Sequence, residues 1–177
     1  MSPGPLDLKS FVRDVPDFPK PGIVFKDVMP LLAEPAALRE VIARLSARIE
    51  PPDAVVGIEA RGLLFGVGLA LAWGVPFVAA RKAGKLPGPT IRQSYALEYG
   101  ADAMELQAGA LVPGQRVAIV DDLLATGGTA RAAAQLVERL GARVAACLFV
   151  IELVGLGGRA ALAAYPVDAL MEFVVEE

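Results

Sequence analysis

Histidine is absent from this chain, which removes Ser-His-Asp triads, imidazole general bases and histidine-ligated metals from consideration. Cysteine is nearly absent. Cys147 stands alone, so neither an internal disulfide nor a cysteine-based metal site can be built. Its neighbours, Val144-Ala-Ala-Cys-Leu-Phe-Val150, read as a buried strand with the thiol as a small core group, and a reducing, cytoplasmic location is expected. Positive charge is not in excess: 17 Lys and Arg against 20 Asp and Glu give a formal net charge of −3. A broad nucleic-acid-binding surface is therefore not expected. Met1-Ser-Pro-Gly-Pro-Leu-Asp-Leu8 lacks the basic and then apolar pattern of a signal peptide. An unbroken apolar run is missing too. Residues 62–80 carry no charge, but Gly66, Gly68, Gly74 and Pro76 interrupt them, so a buried helix followed by a buried strand is expected rather than a membrane span.

What is present is apolar. Of 177 residues, 55% are hydrophobic and 21% charged, enough for one domain with a sizeable core. Helical and strand patterns alternate, with no internal repeat. Residues 6–12 read as a short amphipathic helix, and Pro16, Pro19, Pro21 and Gly22 impose a turning segment before Ile23-Val-Phe-Lys26. Glu34-Pro35 opens a helix in which Leu38, Val41, Ile42 and Leu45 recur at helical spacing. Strands are expected at 54–58, 75–80, 116–120, 144–151 and 169–175, and helices at 62–73, 128–140 and 159–164. Residues 82–92, rich in Gly, Pro and cations, read as a long exposed loop, with strands at 94–98 and 104–107 pairing as a hairpin at its end. Apolar strands separated by helices predict an α/β fold with a mainly parallel central sheet flanked by helices. Ligands of such folds bind beyond the carboxyl ends of the strands.

Val117-Ala-Ile-Val-Asp-Asp-Leu-Leu-Ala-Thr-Gly-Gly-Thr129 is the most informative stretch. A strand runs into Asp121 and Asp122, then into a Thr-Gly-Gly-Thr turn that starts a helix. Adjacent side chains on extended backbone point to opposite sides, so the two acids are not a simple acid–base pair. Gly127 and Gly128 allow close approach of backbone, and the N–H groups of Ala125, Thr126, Gly127, Gly128 and Thr129 form an anion cradle at a positive helix end. Carboxylates suit sugar hydroxyls and the cradle suits phosphate, which points to a ribose 5-phosphate. The plainer alternative is a helix N-cap at Thr126. Neither a Walker A loop nor the Rossmann glycine fingerprint is matched.

The stretch from Val120 to Thr129 resembles the phosphoribosyl pyrophosphate (PRPP) signature of the type I phosphoribosyltransferase family. Four further stretches resemble its adenine phosphoribosyltransferase branch, in the family's order: Phe18-Pro-Lys-Pro-Gly-Ile-Val-Phe-Lys-Asp27, Glu59-Ala-Arg-Gly-Leu-Leu-Phe-Gly66, Arg81-Lys-Ala-Gly-Lys-Leu-Pro87 and Ser94-Tyr-Ala-Leu-Glu-Tyr-Gly100. The resemblance implies the type I fold in a single domain, with residues 1–33 as an N-terminal hood over the base pocket and 81–100 as a flexible catalytic loop. It implies transfer of the 5-phosphoribosyl group from PRPP to N9 of adenine, giving AMP and pyrophosphate.

Residue by residue, the resemblance puts Asp121 and Asp122 on the ribose hydroxyls and residues 125–129 on the 5-phosphate. Glu59, Ala60 and Arg61 would meet the pyrophosphate, through a cis peptide at Glu59–Ala60. Arg81, Lys82 and Lys85 would pair with the departing pyrophosphate under a closing loop, Lys85 counting as catalytic. Glu98 would be the acid/base near the purine, with Tyr99 covering the site; an exposed strand carboxylate is the alternative for Glu98. Val24, Phe25 and Lys26 would bind the base with Leu153 on its other face, core packing being the alternative for Phe25. Lys26 stands where the family frequently has arginine. Mg²⁺ is implied, held mainly by PRPP rather than by side chains, and so is a homodimer. A phosphoribosyltransferase for another base and a non-catalytic PRPP-sensing regulator are the rival readings.

Overall fold

The structure is a computed structural model and describes residues 6–97 and 100–175. A short hood comes first: a 3₁₀ turn Leu8–Phe11, then strands β1 (Arg13–Pro16) and β2 (Val24–Asp27), paired antiparallel. The turn is shorter than the helix expected over residues 6–12. Asp7 caps it by accepting the Lys9 N–H, and Val12 is already extended. Helices α1 (Met29–Ala33) and α2 (Pro35–Ser46) follow. Asp27 accepts the Met29 N–H at the start of α1, and Pro35 occupies the first turn of α2, where its missing N–H costs no bond.

The main sheet has seven strands in the order β5-β6-β4-β3-β7-β8-β9. Parallel pairing joins β4 (Phe77–Lys82), β3 (Ala54–Ile58), β7 (Arg116–Leu124), β8 (Arg143–Val154) and β9 (Val167–Val174). The antiparallel hairpin of β5 (Thr90–Leu97) and β6 (Gly100–Gln107) is added at the β4 edge. The expected parallel core and hairpin are both present. The loop between β4 and β5 is shorter than the sequence pattern implied, because the hairpin strands begin at Thr90 and end at Gln107. The sheet accounts for the unbroken apolar strands. Val56 and Ile119 face a layer holding α4 (Gly128–Arg139), whereas Val55 and Val120 face one holding α2 and α3 (Gly62–Trp73). With both faces covered, the middles of these strands are apolar on both sides, and the carboxylates of β7 and β8 fall towards their carboxyl ends.

Helix α3 sits close to β3 through glycines. A Cβ on Gly66 would lie 2.8 Å from the Phe77 ring and 3.1 Å from the Gly57 Cα. The helix ends at left-handed Gly74, so Val75-Pro76 becomes a connection and β4 starts later than its hydropathy suggested. Cys147 lies in the core, where burial pushes its thiol up to about 12. Among the described residues no helix is long and apolar enough to cross a membrane.

Candidate functional site

Strand β7 is longer than the apolar run alone predicts, and it carries Asp121 and Asp122 at its carboxyl end. There they meet a cavity of about 560 Å³ whose floor is the turn from Ala125 to Thr129. Gly127 is left-handed (φ 83°) and serves as the N-cap of α4 with no side-chain hydrogen bond. Thr126 is therefore not the cap, and the first N–H groups of α4 stay available to a ligand. The cradle is closed from behind. A Cβ on Gly158, in the short helix α5 (Gly158–Ala161), would lie 2.5 Å from the Ala125 carbonyl oxygen and 2.7 Å from Leu124. Only glycine fits between this turn and the cradle.

Glu59, Ala60 and Arg61 border the same cavity at the end of β3, and the Glu59–Ala60 peptide is cis. Arg61 Nε is 2.7 Å from Asp122 Oδ2. The ion pair is poorly aligned for a hydrogen bond, so Oδ2 is buried without an aligned donor. Arg81 grips Glu59 with two hydrogen bonds, at 3.1 and 3.2 Å, and the Lys82 N–H donates to the same carboxylate. Burial works against the Glu59 charge, but Arg81 and this N–H outweigh it and hold the carboxyl below its usual range. Asp121 goes the other way: enclosure by its neighbours, then the charge of Asp122, raises its pKa well above the ordinary value. Its Oδ1 accepts the Asp122 N–H.

A separate small cavity, about 270 Å³, lies in the hood between Val15, Phe18, Phe25 and Asp27. Phe18 meets Phe25 edge to face at 5.2 Å. The Arg61 guanidinium lies 4.8 Å from the Phe25 ring centre, so one side chain links the aromatic pocket to the Asp122 carboxylate. Val24 is half exposed. The Lys26 side chain turns away, to Asp14 at 2.6 Å and over the Phe173 ring at 4.6 Å, leaving its backbone as the group able to read a base. Leu153 is in register with Phe173 across β8 and β9, so β2 and the end of β8 meet at that ring. Lys85 is exposed, its carbonyl accepting from Arg81, and it does not line the main cavity. Glu98 and Tyr99 lie outside the described residues.

The family model for the phosphoribosyl transferase domain matches residues 28–164. The chain belongs to the phosphoribosyltransferase family. The adenine phosphoribosyltransferase of Synechococcus sp. (strain CC9605) is 53% identical over 171 residues, 95% of this chain and 99% of that protein. The crystal structure of the adenine phosphoribosyltransferase from Thermoanaerobacter pseudethanolicus superposes with a TM-score of 0.91 at 48% identity, covering 94% of this chain and 98% of that one. The enzyme from Saccharomyces cerevisiae, solved with an imino-altritol bisphosphate and adenine, gives a TM-score of 0.85 at 43% identity over 92% of this chain and 95% of its own.

Three features of this phosphoribosyltransferase site escaped the sequence reading. Tyr95 and Asp102 line the main cavity from the hairpin. The strand expected at 94–98 covers Tyr95, but the one expected at 104–107 starts beyond Asp102, and the register that puts the two side by side was not foreseen. The third is Glu152, buried on β8, whose carboxylate accepts from Arg159 Nε with both oxygens at 2.9 Å. That pair ties the turn holding Gly158 to the sheet. A buried-strand glutamate followed by an arginine beyond three glycines was the available signal.

Proposed function

We propose that this chain transfers the 5-phosphoribosyl group of PRPP to N9 of adenine, releasing pyrophosphate and forming AMP in purine salvage. The observation that carries the reading is Arg61. It spans from the carboxylate at the end of β7, beside the anion cradle, to the aromatic face of Phe25. A sugar phosphate and a flat base are thereby brought to one junction, as transfer between them requires.

In this reading the cradle N–H groups hold the 5-phosphate and the Asp121–Asp122 pair holds the ribose hydroxyls. Arg61, Arg81 and Lys82 face the pyrophosphate, and exposed Lys85 joins them when the loop folds in. Phe25 stacks on adenine, backbone groups of Val24 and Lys26 read its edge, and Leu153 covers its other face. The C1–O bond to pyrophosphate breaks, N9 forms the new bond to C1, and the proton leaving the purine passes to Glu98 or water, with Tyr99 shielding the site. These residues work by charge and position, not by a covalent intermediate. Asp122 Oδ2, buried without an aligned donor, would accept a ribose hydroxyl. Mg²⁺ bound with the substrate would neutralise the leaving pyrophosphate.

The hood over residues 1–33 and the closing loop over 81–100 complete the single-domain arrangement. A homodimer is part of the proposal, and its face is the stripe of Leu64, Val67 and Leu71 on α3. All three are exposed and apolar on one side of the helix. Buried, inert Cys147 fits a reducing cytoplasm.

The test is calorimetric titration of PRPP with Mg²⁺ into the wild type and Asp122→Asn. A folded variant should bind at least about tenfold more weakly, the size expected for a lost charge-assisted contact. Equal affinity would remove Asp122 from the site.

A further inference from the structure

A site that takes a polyanion gains nothing from an extra carboxylate unless that carboxylate organises something. Asp102 is such a group. Across β5 and β6 it sits directly opposite Tyr95, and across β4 and β6 Lys82 sits opposite Met104, two residues further on. Side chains two apart on a strand share a face, so three adjacent strands bring Lys82, Asp102 and Tyr95 together on the cavity wall.

The carboxylate is oriented by its own strand. Oδ1 accepts the Ala103 N–H at 2.8 Å, which turns Oδ2 to the cavity. Lys82 Nζ lies 3.2 Å from Oδ2, and the Tyr95 hydroxyl donates to it at 3.4 Å. Tyr95 shares the cavity wall with Thr129, the last residue of the phosphate cradle. Asp102 therefore touches both the loop-side cation Lys82 and the tyrosine on the cradle's side of the cavity.

We propose that Asp102 is a positioning residue for phosphoribosyl transfer, aiming the Lys82 ammonium at the pyrophosphate and fixing Tyr95 on the wall beside the phosphate cradle. It touches no reacting atom and acts through those two neighbours. Charge balance agrees with the geometry. The Ala103 N–H, then Lys82, keep Asp102 below its usual range, and Asp102 in turn raises the pKa of Lys82. Glu59 and Tyr95 are the other titratable groups facing Lys82. The inference rests on the proposed function.

Steady-state kinetics of Asp102→Asn, Asp102→Glu, Lys82→Met and the Asp102→Asn/Lys82→Met double variant test it. Asp102→Asn should raise the KM for PRPP about tenfold and leave the KM for adenine within about twofold. Glutamate should restore most of the loss, and the double variant should be no worse than Lys82→Met. A wild-type KM for PRPP in Asp102→Asn, an equal rise for both substrates, or losses that simply add would overturn the inference. If Asp102→Asn fails to fold, Tyr95→Phe carries the test: a rise of about threefold in the KM for PRPP supports the inference, and no change overturns it. A wild-type chain that makes no AMP from adenine overturns the functional reading and this inference with it, an outcome distinct from failure of the variants alone.

Discussion

Asp121 and Asp122 are neighbours in sequence with opposite circumstances. Asp122 faces Arg61, while Asp121 is enclosed beside a like charge and its pKa is raised. A carboxyl with a folded pKa above its unfolded value makes the protein less stable as pH climbs from the unfolded value, about 3.9, to the folded one. Above that range the cost is fully present. Asp121→Asn should therefore raise the thermal midpoint at pH 7.5 by about 3 °C, the shift expected for about 1 kcal/mol in a chain of this size, and lower kcat/KM for PRPP. Scanning calorimetry beside the kinetic assay checks both; an unchanged or lowered midpoint would contradict the assigned environment. The acids and the glycine cradle were legible because they adjoin one another in the chain, and Arg61 through the resemblance of residues 59–66 to the family, its partners Asp122 and Phe25 being distant in sequence. Tyr95 and Asp102 were not, because what joins them is strand register, which composition and hydropathy do not encode.

Helices and strands were legible wherever one rule acted alone. Gly62–Trp73 emerged with its observed bounds because Gly74 stops it in the left-handed conformation. β3 has its expected bounds, 54–58, but other strands differ in length because pairing, not hydropathy, ends them: β7 continues through two carboxylates, held in register with Phe149, Ile151 and Glu152 of β8. The same β8 end, through Glu152 and Arg159, fixes the turn behind the cradle. Its tightness gives a prediction at this scale. Gly158→Ala would drive a Cβ to 2.5 Å from the Ala125 carbonyl oxygen, a backbone atom that cannot rotate aside. Overpacking of this kind costs about 1–3 kcal/mol. The variant should lose stability by that amount in urea unfolding and bind PRPP more weakly, because the displaced atoms belong to the cradle. Full PRPP affinity in Gly158→Ala would show that the turn and the cradle are mechanically independent.

The α/β layering of the whole molecule followed from buried strands alternating with helices. The order of strands did not, since nothing local tells β7 to lie between β3 and β8. The proposed homodimer is also a whole-molecule property, and its proposed face is on α3: apolar inside at Phe65 and Leu69, apolar outside at Leu64, Val67 and Leu71. Leu71 is 78% exposed. Sedimentation should give twice the 18.5 kDa of one chain, and Leu71→Glu should shift the mass to that of a single chain. A wild-type monomer would contradict the assigned face.

The central claim, that the Asp121–Asp122 cradle and the Phe25 pocket join PRPP to adenine, is tested most directly by product formation. The chain is incubated with PRPP and Mg²⁺ and, in parallel, adenine, guanine, hypoxanthine or orotate, and the nucleotides are quantified. AMP and pyrophosphate are expected in equal amounts from adenine, with none of the other nucleotides. Product from another base, or PRPP binding with no product from any base, would contradict it.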